Sequence, residues 1–219
     1  MNFKAILFDC DGVLVDSEPI ANGVLRDMLE ESGWSMTLAE CMHYFVGKTV
    51  REESAKIALH TGQALTDDWL QRYYQRRNQA LIADLQIIAG AQQAVQAAHR
   101  QAQARIACAS GADRFKTEMQ LRKVGLLGYF EGRVFSGHEM ARSKPAPDVY
   151  LAAASHLKVA PEHCLVIEDS TVGITAAVAA GATVWAYCPL PEAGPKLLQA
   201  GASRLLGHMA QLPLLLSAQ

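Results

Sequence analysis

Five short apolar runs, at 5–8, 105–109, 133–135, 164–167 and 183–187, constrain this 219-residue chain more than any other feature. From about residue 90 onward they alternate with helix-length segments near 91–102, 113–124, 143–157 and 172–180. Buried strands that each feed a helix form a parallel sheet covered on both faces, so the pattern predicts an α/β, Rossmann-like core. Ligands of such sheets sit beyond the carboxyl ends of the strands, near the point where strand order reverses. The polar residues of this chain fall at those ends: Asp9 and Asp11, Ser110, Lys144, Glu168 and Asp169. Between about 17 and 85 the text is different. Ser17 and Pro19 suit a helix start, Ile20, Val24, Leu25, Met28 and Leu29 share one face, and further helical segments follow at 37–46, 50–61 and 66–85 with no strand pattern. The spacing therefore predicts a core of 1–16 and 87–219 interrupted by a helical domain over 17–86.

The first run stops at Asp9-Cys10-Asp11-Gly12. Side chains of an extended chain alternate, so Asp9 and Asp11 project one way and Cys10 the other, and Gly12 frees the backbone to turn. Two acids at the end of a buried strand are costly without a cation or a proton. The formal net charge of -2 gives no broad attraction to nucleic acid or an anionic membrane, so any pull on an anion must be local. No leader pattern and no apolar run of about 18 residues is present, which makes a cytoplasmic protein the expectation. The five cysteines lack a Cys-x-x-Cys pair and are expected to be reduced. Cys10, flanked by carboxylates that disfavour a thiolate, is expected to be structural.

The stretch from Asp9 to Ser17, Asp-Cys-Asp-Gly-Val-Leu-Val-Asp-Ser, resembles the Asp-x-Asp-Gly-[Thr/Val]-Leu-x-Asp-Ser signature of the haloacid dehalogenase-like (HAD) phosphohydrolases. The later motifs appear in the order this family requires: Ser110 after a strand, Ser143-Lys144-Pro145 before a helix, and Glu168-Asp169 after a further strand. The resemblance implies the HAD fold, with 17–86 looking like the α-helical cap of the phosphoglycolate phosphatase and β-phosphoglucomutase branch. It implies Asp9 as nucleophile, Asp11 as general acid/base, and Lys144 as the cation holding both phosphate and Asp9. It also implies Ser110 as a phosphate ligand. Where the family often has Ser or Asn, this chain has Gly111, so the Gly111 backbone amide or a residue of the cap is expected to substitute, with the nearby Arg114 as a further candidate.

An anionic nucleophile is repelled by a phosphate monoester unless charge is screened. Asp9, Asp169 and Glu168 offer hard oxygen ligands suited to magnesium, and the resemblance makes the Asp11 backbone carbonyl a further ligand. The cap is expected to close over the site, with Lys48 and Arg51 of the 44–51 stretch reading the rest of the substrate. Gly47-Lys48-Thr49 is not a P-loop, because Met42 stands where the first glycine is needed. The function implied is magnesium-dependent hydrolysis of a small phosphorylated metabolite, a sugar phosphate or phospho-acid, by a protein whose relatives of this size are often monomers. Sugar phosphomutase activity is the main alternative. A haloacid dehalogenase has no use for Asp11, and a non-catalytic scaffold has no reason to keep Asp9, Asp11, Lys144 and Asp169 together.

Overall fold

The computed structural model describes residues 3–45 and 48–218. The chain forms two compact units, one of Met1–Val15 with Ile87–Gln219 and one of Asp16–Gln86. The larger unit is built on a sheet of strands β1 (Ala5–Phe8), β2 (Ile106–Ser110), β3 (Val134–Ser136), β4 (Cys164–Glu168), β5 (Thr183–Tyr187) and β6 (Arg204–Leu206). Their order is β3-β2-β1-β4-β5-β6 and every pairing is parallel. Strand order therefore reverses at β1, the strand that ends in Asp9 and Asp11.

The smaller unit carries helices α1 (Glu18–Glu31), α2 (Leu38–Phe45), α3 (Ser54–Thr61) and α4 (Asp67–Asp84). Leu25, Met28 and Leu29 of α1 pack with Trp34, Cys41, Phe45, Ile57, Leu70 and Tyr73 into its own apolar core. The expected cap at Ser17 makes no side-chain hydrogen bond to the helix; Pro19 in the first turn does the presetting instead. No helix among the described residues is long and apolar enough to cross a membrane.

Helices α5 (Ala91–Gln101), α6 (Arg114–Lys123), α7 (Asp148–His156), α8 (Thr171–Ala179), α9 (Gly194–Gln199) and α10 (Gln211–Ser217) belong to the sheet-bearing unit. The period of two sorts the strand residues. Ala5 and Leu7, Ala107 and Ala109, Cys164 and Val166, and Val184 and Ala186 share a core with Val149, Tyr150 and Ala153 of α7 and with Ile174 and Ala177 of α8. Extending that alternation by one step carries Asp9 and Glu168 toward the α7 and α8 face.

Two local expectations change. The 205–219 tail reads as a packing segment, yet Arg204–Leu206 adds a sixth strand beside β5, in register Trp185↔Arg204. The run is too short for period to distinguish it from a loop. The segment after Ser143 does not enter a helix until Asp148. Lys144 and Pro145, joined by a cis peptide bond, instead occupy a turn closed by the Ala146 amide donating to the Ser143 carbonyl at 3.0 Å.

Candidate active site

Each acid of the first motif finds its own lysine. Asp9 follows β1 directly and is buried, and Lys144 Nζ lies 2.6 Å from its Oδ1. The same ammonium lies 2.8 Å from Glu168 Oε1. Tyr150 of α7 places its ring beneath that ammonium, 4.8 Å from Nζ to the ring centre, and its hydroxyl donates to Glu168 Oε1 at 3.0 Å. Lys144 is thus fixed by two carboxylates and an aromatic face, all buried.

Charge follows from this packing. Burial pushes the Asp9 carboxyl up to about 7, against the pull of Lys144, with Glu168 and Asp11 adding to the rise. Burial works against a charged Lys144 too, but Asp9 and Glu168 outweigh it and hold the ammonium well above its ordinary range. Burial also raises Glu168, and here Lys144 and the Ser170 hydrogen bonds prevail, so this carboxyl stays low and ionised. Tyr150 is pushed well up by burial and by Glu168, and so keeps its proton to donate.

Glu168 has no idle oxygen. Its Oε1 accepts from Lys144 and Tyr150, and its Oε2 accepts from the Asp169 and Ser170 amides and the Ser170 hydroxyl, each at 2.9 Å. Ser170 in turn caps α8 by accepting from the Gly173 amide at 3.0 Å. Gly173 makes room for this: a Cβ there would fall 1.6 Å from Glu168 Oε1. The arrangement makes Glu168 the anchor of Lys144, whereas the sequence suggested a metal ligand.

Asp169 sits at the neighbouring strand end, since Phe8 and Ile167 are register partners. Its carboxylate lies against the turn after β1, where a Cβ on Gly12 would come 2.0 Å from Asp169 Oδ2. Gly12 has φ +75°, so both the backbone and the space require glycine. No group of three His, Cys, Asp or Glu side chains is gathered for a metal among the described residues. The donor set nevertheless suits a hard cation. Asp9 and Asp169 stand on adjacent strand ends, and the missing Cβ of Gly12 lets the Asp169 carboxylate reach the Asp11–Gly12 backbone.

Asp11 faces α6. Lys116 Nζ lies 2.9 Å from both of its oxygens, and Gln120 Nε2 donates to Oδ1 at 2.8 Å. Gln120 Oε1 accepts from the Cys10 thiol at 3.8 Å. That thiol is raised well above its ordinary range by its hydrogen bond with Cys108 and by burial, consistent with a structural Cys10.

Ser110 is buried at the end of β2, its oxygen accepting from the Ala112 amide at 3.0 Å. The Gly111 backbone passes Gly137 closely, where a Cβ on Gly137 would come 3.4 Å from the Gly111 Cα. Arg114 does not stand in for a side chain at 111. It pairs with Glu139 at 2.6 Å and donates to the Val134 carbonyl, tying α6 to β3. Lys48 and Arg51 belong to the helical unit, where Lys48 pairs with Glu53 at 3.0 Å and Arg51 with Asp67 at 2.7 Å. Val46 and Gly47 of the same stretch lie outside the described residues.

The family model described as "Hydrolase: haloacid dehalogenase-like hydrolase" matches residues 3–181, which span every group just described. The chain belongs to the haloacid dehalogenase-like hydrolases. Within this hydrolase family, it is 29% identical over 217 residues to the 6-phosphogluconate phosphatase of Escherichia coli K12, covering 99% of this chain and 96% of the relative. It is 29% identical over 207 residues to the phosphorylated carbohydrates phosphatase of Thermotoga maritima, covering 93% and 94%. Among solved structures, a HAD family hydrolase of Deinococcus radiodurans R1 with bound phosphate and sodium matches with a TM-score of 0.82 at 35% identity, over 99% and 96% of the two chains.

Four residues of this hydrolase site escape sequence reasoning: Lys116, Gln120, Tyr150 and Gly173. A signal existed for the first pair. Lys116 and Gln120 stand one turn apart on α6, and two long polar side chains sharing the buried face of a helix need a partner inside.

Proposed function

We propose that this hydrolase is a magnesium-dependent phosphatase of small phosphorylated metabolites that works through an aspartyl-phosphate on Asp9. The observation that carries the reading is the buried Asp9–Lys144 pair at the carboxyl end of the central strand, 2.6 Å apart, with a second acid two residues on. The names of the E. coli and T. maritima relatives support a phosphorylated sugar or sugar acid as substrate.

The phosphate enters against Lys144, the Ser110 hydroxyl and the Gly111 backbone amide. The Ser110 oxygen already accepts from Ala112, which leaves its proton to donate. An Asp9 carboxylate oxygen attacks phosphorus in line. As the new P–O bond forms, the bond to the leaving oxygen breaks and Asp11 delivers its proton there. Water then attacks the same phosphorus, gives its proton to Asp11, and releases phosphate with Asp9 restored. Splitting one difficult displacement into two easier ones is the gain of covalent catalysis. Asp9, Asp169 and the Asp11 carbonyl would hold magnesium, which supplies charge neutralisation at the phosphoryl oxygens. Glu168, with both oxygens already engaged, acts through Lys144. Lys48 and Arg51 remain candidates for recognising the rest of the substrate, and their alanine variants test this through KM.

The experiment is phosphate release from a panel of sugar phosphates and phospho-acids, with magnesium and with EDTA, alongside Asp9→Asn. Release that needs both magnesium and Asp9 supports the phosphatase. Isomerised hexose phosphate without release overturns it in favour of a phosphomutase.

A further inference from the structure

We propose that Lys116 and Gln120 form a two-point clamp that fixes the Asp11 carboxylate in its working direction, making them positioning residues for proton transfer. The inference rests on the reading of Asp11 as the general acid/base, and adds two side chains that the family motifs do not include.

The geometry is specific. An aspartate carboxylate can rotate about two bonds, and a second carboxylate, that of Asp9, stands two residues away in the same loop. Lys116 Nζ touches both Asp11 oxygens equally, at 2.9 Å, which centres the ammonium on the carboxylate. Gln120 then fixes rotation in the remaining sense, because its amide donates to Oδ1 alone at 2.8 Å. Gln120 is itself oriented by accepting from the Cys10 thiol, the residue just before Asp11. The clamp residues sit on a helix whose start is secured: Asp113 accepts from the Lys116 amide at 2.8 Å, and Arg114 ties the same turn to β3. The loop is equally constrained, with the amides of Leu14 and Val15 both donating to the Cys10 carbonyl. Both partners of the ion pair are largely buried, with side-chain exposures of 10% and 17%, so the contact is held away from competing water.

A surface role for Lys116 would leave its ammonium in solvent, and a purely packing role would not need a charge. The clamp also explains why the two lysines differ in reach. Lys144 arrives on a loop and serves Asp9, and Lys116 arrives on a helix and serves Asp11, so neither acid competes for the other's cation.

The test uses leaving-group dependence. Lys116→Met, Gln120→Leu, Asp11→Asn and the Lys116→Met/Asp11→Asn double variant are assayed on the best sugar phosphate of the panel and on p-nitrophenyl phosphate. The nitrophenolate departs without a proton and so does not need the acid. Lys116→Met is expected to lower kcat/KM for the sugar phosphate by about 10²-fold, the scale of a misdirected catalytic group. For p-nitrophenyl phosphate the loss is expected to stay under about tenfold, and in the Asp11→Asn background Lys116→Met is expected to add no more than about twofold, since removing the misdirected group leaves nothing for the clamp to direct. Equal losses on both substrates, or full additivity in the double variant, overturn the clamp while leaving Asp11 its role. If Asp11→Asn itself keeps wild-type kcat/KM on the sugar phosphate, the acid/base reading falls and the clamp with it. Gln120→Leu, which is uncharged before and after, carries the same comparison if Lys116→Met does not fold, with an expected loss of about tenfold, one hydrogen bond's worth.

Discussion

Gly173→Ala should destabilise the protein, although local helix propensity says the reverse. Gly173 lies inside α8, where replacing glycine by alanine ordinarily gains up to about 1 kcal/mol. Here the new methyl carbon would stand 1.6 Å from Glu168 Oε1 and 2.5 Å from Oε2, so the carboxylate must leave its seat. Leaving costs contacts to Lys144, Tyr150, Ser170 and the Asp169 amide at once. Uncoupling one partner of a buried ion pair costs about 3–5 kcal/mol. Net of the propensity gain, the variant should lose about 2–4 kcal/mol, which for a chain of this size is a fall in Tm of about 10 °C. Thermal unfolding of metal-free protein by circular dichroism reads it directly. The control is the same substitution in a Glu168→Ala background, where the obstruction is gone. There Gly173→Ala should become neutral or stabilising by up to about 1 kcal/mol. An unchanged or higher Tm in the wild-type background would refute the reasoning, because it would mean the Glu168 seat is not set by the space at Gly173.

Other consequences are as direct. Asp9→Asn should abolish turnover, and Asp11→Asn should lower kcat by about 10²–10⁴-fold, both read as phosphate release. Tyr150→Phe removes one hydrogen bond to an ionised carboxylate, so denaturant titration should show a loss of about 1.5–3 kcal/mol with Asp9 and Lys144 still in place. Gly12→Ala adds left-handed strain to a Cβ 2.0 Å from Asp169 Oδ2, and calorimetric titration with magnesium should show binding weakened at least tenfold. In metal-free protein the Asp9 carboxyl titrates at about 7 rather than at its ordinary value. A raised acid favours the folded state while protonated, so its contribution is present at low pH and is lost as pH rises through 7. Asp9→Asn, which cannot ionise, should therefore gain stability relative to wild type between about pH 4 and 7, measured by Tm across that range. A gap that narrows with rising pH would show that Lys144, and not burial, governs Asp9.

What was legible in the sequence is what the chain writes locally. The parallel core could be read because buried strands are continuous apolar runs and each ends in polar residues. Lys144 could be read because Ser143-Lys144-Pro145-Ala146-Pro147-Asp148 resembles the lysine motif of the family, although the helix expected from Ser143 begins only at Asp148. Lys116 offers no such cue: its contact with Asp11 joins positions 105 residues apart, and in the text it is one basic residue among several on a polar helix. Glu168 was ambiguous for a different reason. An acid at a strand end suits a metal and a buried lysine equally well, and the lysine that folding brings to Glu168 comes from a loop 24 residues away. The strand at Arg204–Leu206 was missed because three residues cannot establish a period; its place comes from β5, whose edge would otherwise remain unpaired. The two aspartates show the common principle. Asp9 and Asp11 look alike in the sequence and differ only in what folding brings to them: a loop lysine shared with a second buried acid for one, and a helix lysine with an amide for the other. The difference between the two acids is therefore written less in the Asp-x-Asp motif than in the two distant elements that meet it.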